Sequence, residues 1–280
     1  MIATNNIQLN VETYGKPSDP LVILLHGFPE AGFAWRKIAP QLAEKGYFVL
    51  APDQRGYNLS EKPSHIADYR LDLLAGDILG LMDAYQQPTA RVVGHDWGAV
   101  VAWYLAMNSP ERVKQLAILN VPHPSAMLKK LRTFTQLRKS WYMFFFQIPA
   151  LPEWLISRNN FQLGKQSLVR SSLPNTFTES DLAEYVLAWQ RAGNFKTMLH
   201  WYRALFQKPA IRPKNSKVAS PTLILWGKRD AFLSHTLAED SLAYCLQGEL
   251  QKWEDATHWL CHEHPGRVSA ALLSFFAKIV

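Results

Sequence analysis

Apolar and polar positions along the chain alternate between two rhythms. Short β-rich apolar runs recur at Leu21 to Leu25, Phe48 to Ala51, Arg91 to Val93, Leu116 to Leu119 and Thr222 to Trp226. Between the early ones, Ala34 to Ala43, Leu71 to Ala84 and Ala99 to Met107 carry apolar residues at helical spacing. Strand alternating with helix predicts an α/β fold, a mostly parallel central sheet with helices on both faces. The opening stretch MIATNNIQLNVETYG alternates apolar and polar residues and is predicted as a first strand. It lacks the basic and apolar regions of a secretory leader.

The alternation stops after LAILNVPHP and resumes at SPTLILWGKRD. Residues 123–213 are aromatic-rich with helix-like spacing, and are predicted as a helical cap inserted into a core made of residues 1–122 and 214–280. Such a cap belongs over the carboxyl ends of the strands, where open α/β sheets bind their ligands.

Composition refines this picture only slightly. With 48% hydrophobic and 12% aromatic residues in 280, a packed core and an aromatic-lined pocket are both expected. The net charge of +7 invites a nucleic-acid reading, for which the best stretch is LKKLRTFTQLRKS, Leu128 to Ser140. Its cations are spread through an amphipathic segment, so it reads as a solvated helix face and no nucleic-acid partner is expected. The apolar run WYMFFFQIPALPEWLI is broken by Gln147, Pro149, Pro152 and Glu153. It falls short of the ~18 residues of a membrane span and is expected to line a pocket or the core. Two cysteines, Cys245 and Cys261, make no disulfide framework, and a cytoplasmic protein is expected.

The chemistry centres on VVGHDWGAVVA, residues 92–102. A strand, a tight turn from Gly94 to Gly98 and a helix follow one another. That is the logic of a nucleophile elbow, which exposes one side chain beside a helix N-terminus, and the exposed slot holds Asp96. The competing reading makes Asp96 a simple helix cap. Elbow enzymes carry an acid and then a histidine after later strands. Asp230 in TLILWGKRDAF and His258 in WEDATHWL fall in that order. His262 and His264, further into the next helix, are expected to be surface or capping groups. The cluster of His258, Cys261, His262 and His264 has some metal-ligand spacing, but no second ligand group lies near it in sequence, and no metal is expected. In LLHGFPE a glycine turn follows a strand, so the backbone N–H groups of Phe28 and Trp97 are expected to form an oxyanion hole.

A carboxylate in this slot selects the electrophile. Attack on an ester would give a strained, reversible anhydride, whereas attack on an sp3 carbon bearing a leaving group gives an ordinary ester. Epoxides and alkyl halides are therefore the expected substrates. Halide leaves as a weakly basic anion, but an opening epoxide becomes a basic alkoxide that needs an acid such as a phenol.

HGFPE, DQRGYNLSEKP, GHDWGA, LNVPHP, WGKRD and THW, taken together and in this order, resemble the epoxide hydrolase branch of the α/β-hydrolase superfamily across nearly the full chain. Asn58 stands where glycine is usual, and Thr257 where glycine or serine is. The resemblance implies that Tyr142 in SWYMFFFQIP and Tyr202 in LHWYRALF are the acids. It implies a cofactor-free enzyme, monomer or homodimer, that acts on a small-molecule epoxide and water to give a diol. Trp35, Trp97, Phe145 and Phe146 are candidate pocket walls. Haloalkane dehalogenases share the aspartate turn and Trp97, but their first loop usually carries a halide-binding residue where this chain has Phe28. Fluoroacetate-type dehalogenases carry arginine after the nucleophile, and a non-catalytic hydrolase-fold protein would be expected to have lost part of the set.

Overall fold

Each predicted β-rich run becomes a strand. In a computed structural model describing residues 1–131, 134–207 and 216–278, part of the Leu128–Ser140 segment and the expected insertion boundary at residue 213 lie outside the described residues. The predicted first strand is three. β1 (Ile2–Thr4) and β2 (Ile7–Leu9) form a separate antiparallel hairpin, and β3 (Val11–Tyr14) joins the main sheet. The hairpin turns at Asn5 and Asn6, φ 37° and 58°, the two positive-φ positions that asparagine tolerates and a tight hairpin requires.

β4 (Leu21–Leu25) enters the centre of the sheet. The helix expected over Ala34 to Ala43 is a 3-10 turn at Gly32–Trp35 followed by a short α1 (Ala39–Ala43). Pro40, with no N–H to donate, is accommodated in the first turn of α1, where the amides have no intrahelical partner. β5 (Phe48–Pro52), α2 (Leu71–Ala84), β6 (Ala90–His95), α3 (Trp97–Asn108) and β7 (Val113–Leu119) follow.

Between β7 and the next strand the described chain is helical: α4 (Pro124–Lys130), α5 (Phe134–Lys139), α6 (Trp141–Phe145), α7 (Leu151–Ser171), α8 (Glu179–Gln190) and α9 (Asn194–Ala204). α7 is broken in its middle, where Asn159, Asn160 and Phe161 all have positive φ. β8 (Thr222–Gly227), α10 (Thr236–Leu242), β9 (Gly248–Trp253), α11 (Leu260–Glu263) and α12 (Pro265–Phe276) complete the described chain. None of the described helices is long and apolar enough to cross a membrane.

The seven-stranded sheet has the order β3-β5-β4-β6-β7-β8-β9, parallel throughout except for the β3 edge. Its central strands are apolar on both sides. In β4, Leu21, Ile23 and Leu25 face one hydrophobic cluster while Val22 and Leu24 face the other, the period-two alternation of a pleated strand. α3 packs in the first cluster, with residues of the inserted helices above it, and α12 packs in the second. Register then sets the strand ends side by side: Leu25 pairs with Gly94, His95 with Leu119, Leu119 with Leu225, and Gly227 with Trp253. Whatever follows these strands is thereby collected along one edge.

Candidate active site

Asp96 follows β6 directly, with φ 48° and ψ −121°, a conformation that L residues rarely adopt and that costs roughly 1–3 kcal/mol. The turn is possible because its neighbours are glycines. A Cβ on Gly98 would come within 2.2 Å of the Leu25 carbonyl oxygen, and one on Gly27 within 2.3 Å of the Asp96 Cβ. Asp96 occupies the N-cap position of α3 but makes no side-chain cap bond, so the capping role is not the one it plays. Its Oδ1 instead accepts from the Phe28 N–H at 2.7 Å. Trp97 opens α3 immediately afterwards, its ring edge-on to Tyr202 at 5.0 Å between centroids.

His258, on the loop after β9, stands between two carboxylates. Its Nε2 is 3.5 Å from Asp96 Oδ2 and its Nδ1 is 2.8 Å from Asp230 Oδ2. Asp230, beyond β8, is itself pinned: Phe232 and Leu233 N–H groups donate to Oδ1 at 2.7 and 2.9 Å, and Asn120 Nδ2 donates to Oδ2 at 2.7 Å. Asn120, at the end of β7 with φ 57°, also accepts from the Gly227 N–H at 3.0 Å. It is a positioning residue that the sequence reading passed over inside LNVPHP.

Burial penalises all three charges, yet the pairing outweighs it. Desolvation would raise the Asp96 and Asp230 pKa values, but the bonds and charge of His258 hold both below the ordinary carboxylate value. Desolvation would lower His258, but Asp230 and then Asp96 lift it to about 10. In the resting site the imidazole is a cation shared by two carboxylates.

A cavity of about 1240 Å³ opens above them, lined by Asp96 and His258 below and by Tyr142, Phe145, Phe146 and Tyr202 from the inserted helices, with Phe28 from the first loop. The two tyrosine rings meet edge-on at 6.0 Å between centroids. Burial, and after it the charge of Asp96, pushes both phenols well above their usual pKa. They are held protonated.

Trp35 is placed elsewhere. It is packed in the cluster on the opposite side of the sheet with Ile38 and Leu42 and is not part of the cavity wall. Helical spacing shows that a side chain is apolar and recurrent, but not which of two cores receives it. Trp97 is not on the lining either; its ring packs against Trp201 and Tyr202.

The histidines near the base also need correcting. His262 is not a surface group: its Nε2 bonds Glu30 Oε1. Glu30, the last residue of HGFPE, is buried, and its Oε2 meets His95 Nδ1 at 2.9 Å. His95 Nε2 in turn reaches the His258 carbonyl oxygen at 2.9 Å. The Tyr185 hydroxyl donates to Glu30 at 3.3 Å. Burial opposes the Glu30 charge, but His262 and His95 hold its pKa well below the usual value. The nitrogens of the suspected metal cluster thus diverge, His258 to Asp230, His262 to Glu30 and His264 to the Asp255 carbonyl.

Residues 20–265 match the family described as alpha/beta hydrolase fold. The chain is 40% identical to the AB hydrolase superfamily protein YfhM of Bacillus subtilis, covering 98% of this chain and 96% of that one. It is 35% identical to epoxide hydrolase 1 of Caenorhabditis elegans, covering 99% of this chain and 70% of that one. Among solved structures, a mutant epoxide hydrolase from Bacillus megaterium superposes with a TM-score of 0.90 at 28% identity, covering 99% of each chain.

Proposed function

The chain belongs to the α/β-hydrolase family, among its epoxide hydrolases, and on that premise we propose that it opens an epoxide to a vicinal diol through a covalent ester on Asp96. The inserted helices act as the cap that closes the cavity over the strand ends. The single observation that carries the reading is the pair of protonated phenols, Tyr142 and Tyr202, lining one cavity with Asp96.

In the first step Asp96 Oδ2 attacks a ring carbon, the carbon–oxygen bond breaks, and the leaving oxygen takes a proton from a tyrosine. Oδ1, already held by the Phe28 N–H, becomes the carbonyl oxygen of the ester. In the second step water attacks that carbonyl carbon, so the charge builds on the oxygen that the Phe28 and Trp97 backbone N–H groups would stabilise. His258, having passed its proton to the tyrosinate, takes the water proton, oriented by Asp230; the acyl carbon–oxygen bond then breaks, the departing alkoxide takes the proton of the new Asp96 carboxyl, and the diol leaves with the carboxylate and imidazolium restored. Ester formation has by then removed the Asp96 charge, one of the two that raise His258, so the imidazole gives up its proton more readily when it must serve as base. Phe28, Phe145 and Phe146 form the apolar wall, and no cofactor enters either step.

The deciding experiment offers purified protein a panel of aryl and alkyl epoxides, short haloalkanes and fluoroacetate, and follows diol and halide release. Diol without halide is expected. Halide without diol would keep the nucleophile and remove the tyrosines from their role; no product from any of them would sink the enzymatic reading.

A further inference from the structure

Charge is divided unequally along this chain. Residues 123–213 carry thirteen Lys and Arg against four Asp and Glu, a net of +9, which leaves −2 for the rest of the +7 chain. Exposed apolar surface is divided the same way. Of the fifteen large hydrophobic side chains exposed among the described residues, twelve lie in this same insertion.

They are not scattered. Leu137, Trp141, Phe144 and Ile148 recur at intervals of four, three and four and are 42%, 62%, 51% and 43% exposed, a stripe along one side of α5, α6 and the turn after them. Trp154, 55% exposed, is fastened beside that stripe. Arg203 pairs with Glu153 at 2.6 Å and donates to the Phe146 and Ile148 carbonyls at 3.0 Å each. Cations border the patch: the Arg158 guanidinium lies 4.4 Å from the Trp154 ring centroid, and Arg138 and Arg170 are exposed on the cavity lining with Trp141 and Leu163. The cavity therefore reaches the surface at the patch.

A solvated helix face would not present two tryptophans and a phenylalanine, and a phosphate-binding groove for nucleic acid would not need the aliphatic stripe. Aromatic and aliphatic side chains bordered by Arg138, Arg158 and Arg170 match the boundary between acyl chains and negatively charged headgroups. We propose that this face docks reversibly on an anionic lipid bilayer, with Trp141, Phe144, Ile148 and Trp154 entering the headgroup boundary and the surrounding cations facing lipid phosphates. The cavity mouth then opens onto the bilayer, the phase in which apolar small molecules concentrate. The docking does not depend on which reaction Asp96 performs.

Co-sedimentation with vesicles tests it directly, using phosphatidylcholine alone and an equal mixture with phosphatidylglycerol. The full chain is expected to sediment with the mixed vesicles, to stay in solution with the neutral ones, and to be released by added salt. The double variant Phe144→Ser with Trp154→Ser, both outside the cavity lining, should lose about tenfold or more in vesicle affinity with unchanged circular dichroism and melting temperature. Should that variant fail to fold, Arg158→Glu with Arg138→Glu reads the charge contribution separately and should also weaken binding to mixed vesicles. Equal binding to neutral vesicles, no binding to either, displacement by duplex DNA, or a solution dimer that the serine variant disperses would each overturn the proposal.

Discussion

Asp96, Asp230 and His258 stand on turns that follow strands paired residue by residue, whereas Tyr142 and Tyr202 stand on helices between β7 and β8, of which α8 and α9 are tied by side-chain bonds to the loops after β4 and β5. The Trp189 indole donates to the Pro29 carbonyl at 2.6 Å, Trp201 to Arg55 at 2.9 Å, and the Thr197 hydroxyl to Gly56 at 2.6 Å. Around the strand ends nearly every polar atom is spoken for, down to the two amides and the amide nitrogen on Asp230. In the insertion α5 and α6 are short, α7 breaks in mid-course, and large apolar side chains face outward. The strand ends hold Asp96, Asp230 and His258 to hydrogen-bond distances, while the helices between β7 and β8 carry the proposed proton donors, cavity walls and exposed apolar surface. Substitutions should therefore act differently in the two regions.

The largest effect is expected at the sheet. His258→Gln should lower steady-state turnover by ~10⁴-fold or more, yet intact-protein mass after exposure to an epoxide should rise by the mass of that epoxide, because the ester forms and persists. An unlabelled variant would contradict a two-step reaction. Next comes the insertion: changing Tyr142 and Tyr202 together to Phe should slow ring opening by about 10²–10⁴-fold while the melting temperature stays near that of the wild type. Full epoxide turnover in that variant would assign the acid elsewhere and dissolve the distinction drawn above.

The smallest effect concerns charge. A histidine whose pKa is raised on folding, here from 6.5 to about 10, stabilises the native state fully below the lower value, and that contribution is lost as pH rises toward the higher one. The wild type should thus lose stability between about pH 6.5 and 10. Asp96→Asn removes one of the two carboxylates, so its decline should be smaller and end at lower pH. Melting curves of the two proteins that run parallel across that window would show that Asp96 does not help hold the proton.

The fold and the site are legible in the chain wherever local pattern carries the information. Asp96, Asp230 and His258 each follow a β-rich run, and parallel strands deliver their carboxyl ends to one edge without any long-range knowledge. Glu30 and His262 are 232 residues apart, so nothing local announces that they meet. Trp35 went to the wrong wall because period alone does not choose between two cores. Asn120 sat in plain view at a strand end, but its role depends on the register that brings β7 beside β8. One usable signal was passed over twice: the pairs Asn5–Asn6 and Asn159–Asn160 all adopt positive φ, splitting the expected first strand and breaking α7.

The long reach of the Glu30 cluster also bears on the order of synthesis. A ribosome that has delivered the chain as far as Leu119 has already made the elbow and the buried glutamate, but neither Asp230, His258 nor His262. Glu30 can then meet His95 but must wait for His262, which arrives only with α11, and contacts of such sequence separation form late and at high entropic cost. The cluster around Glu30 is thus completed in one step, after His262 has been made, when α11 docks.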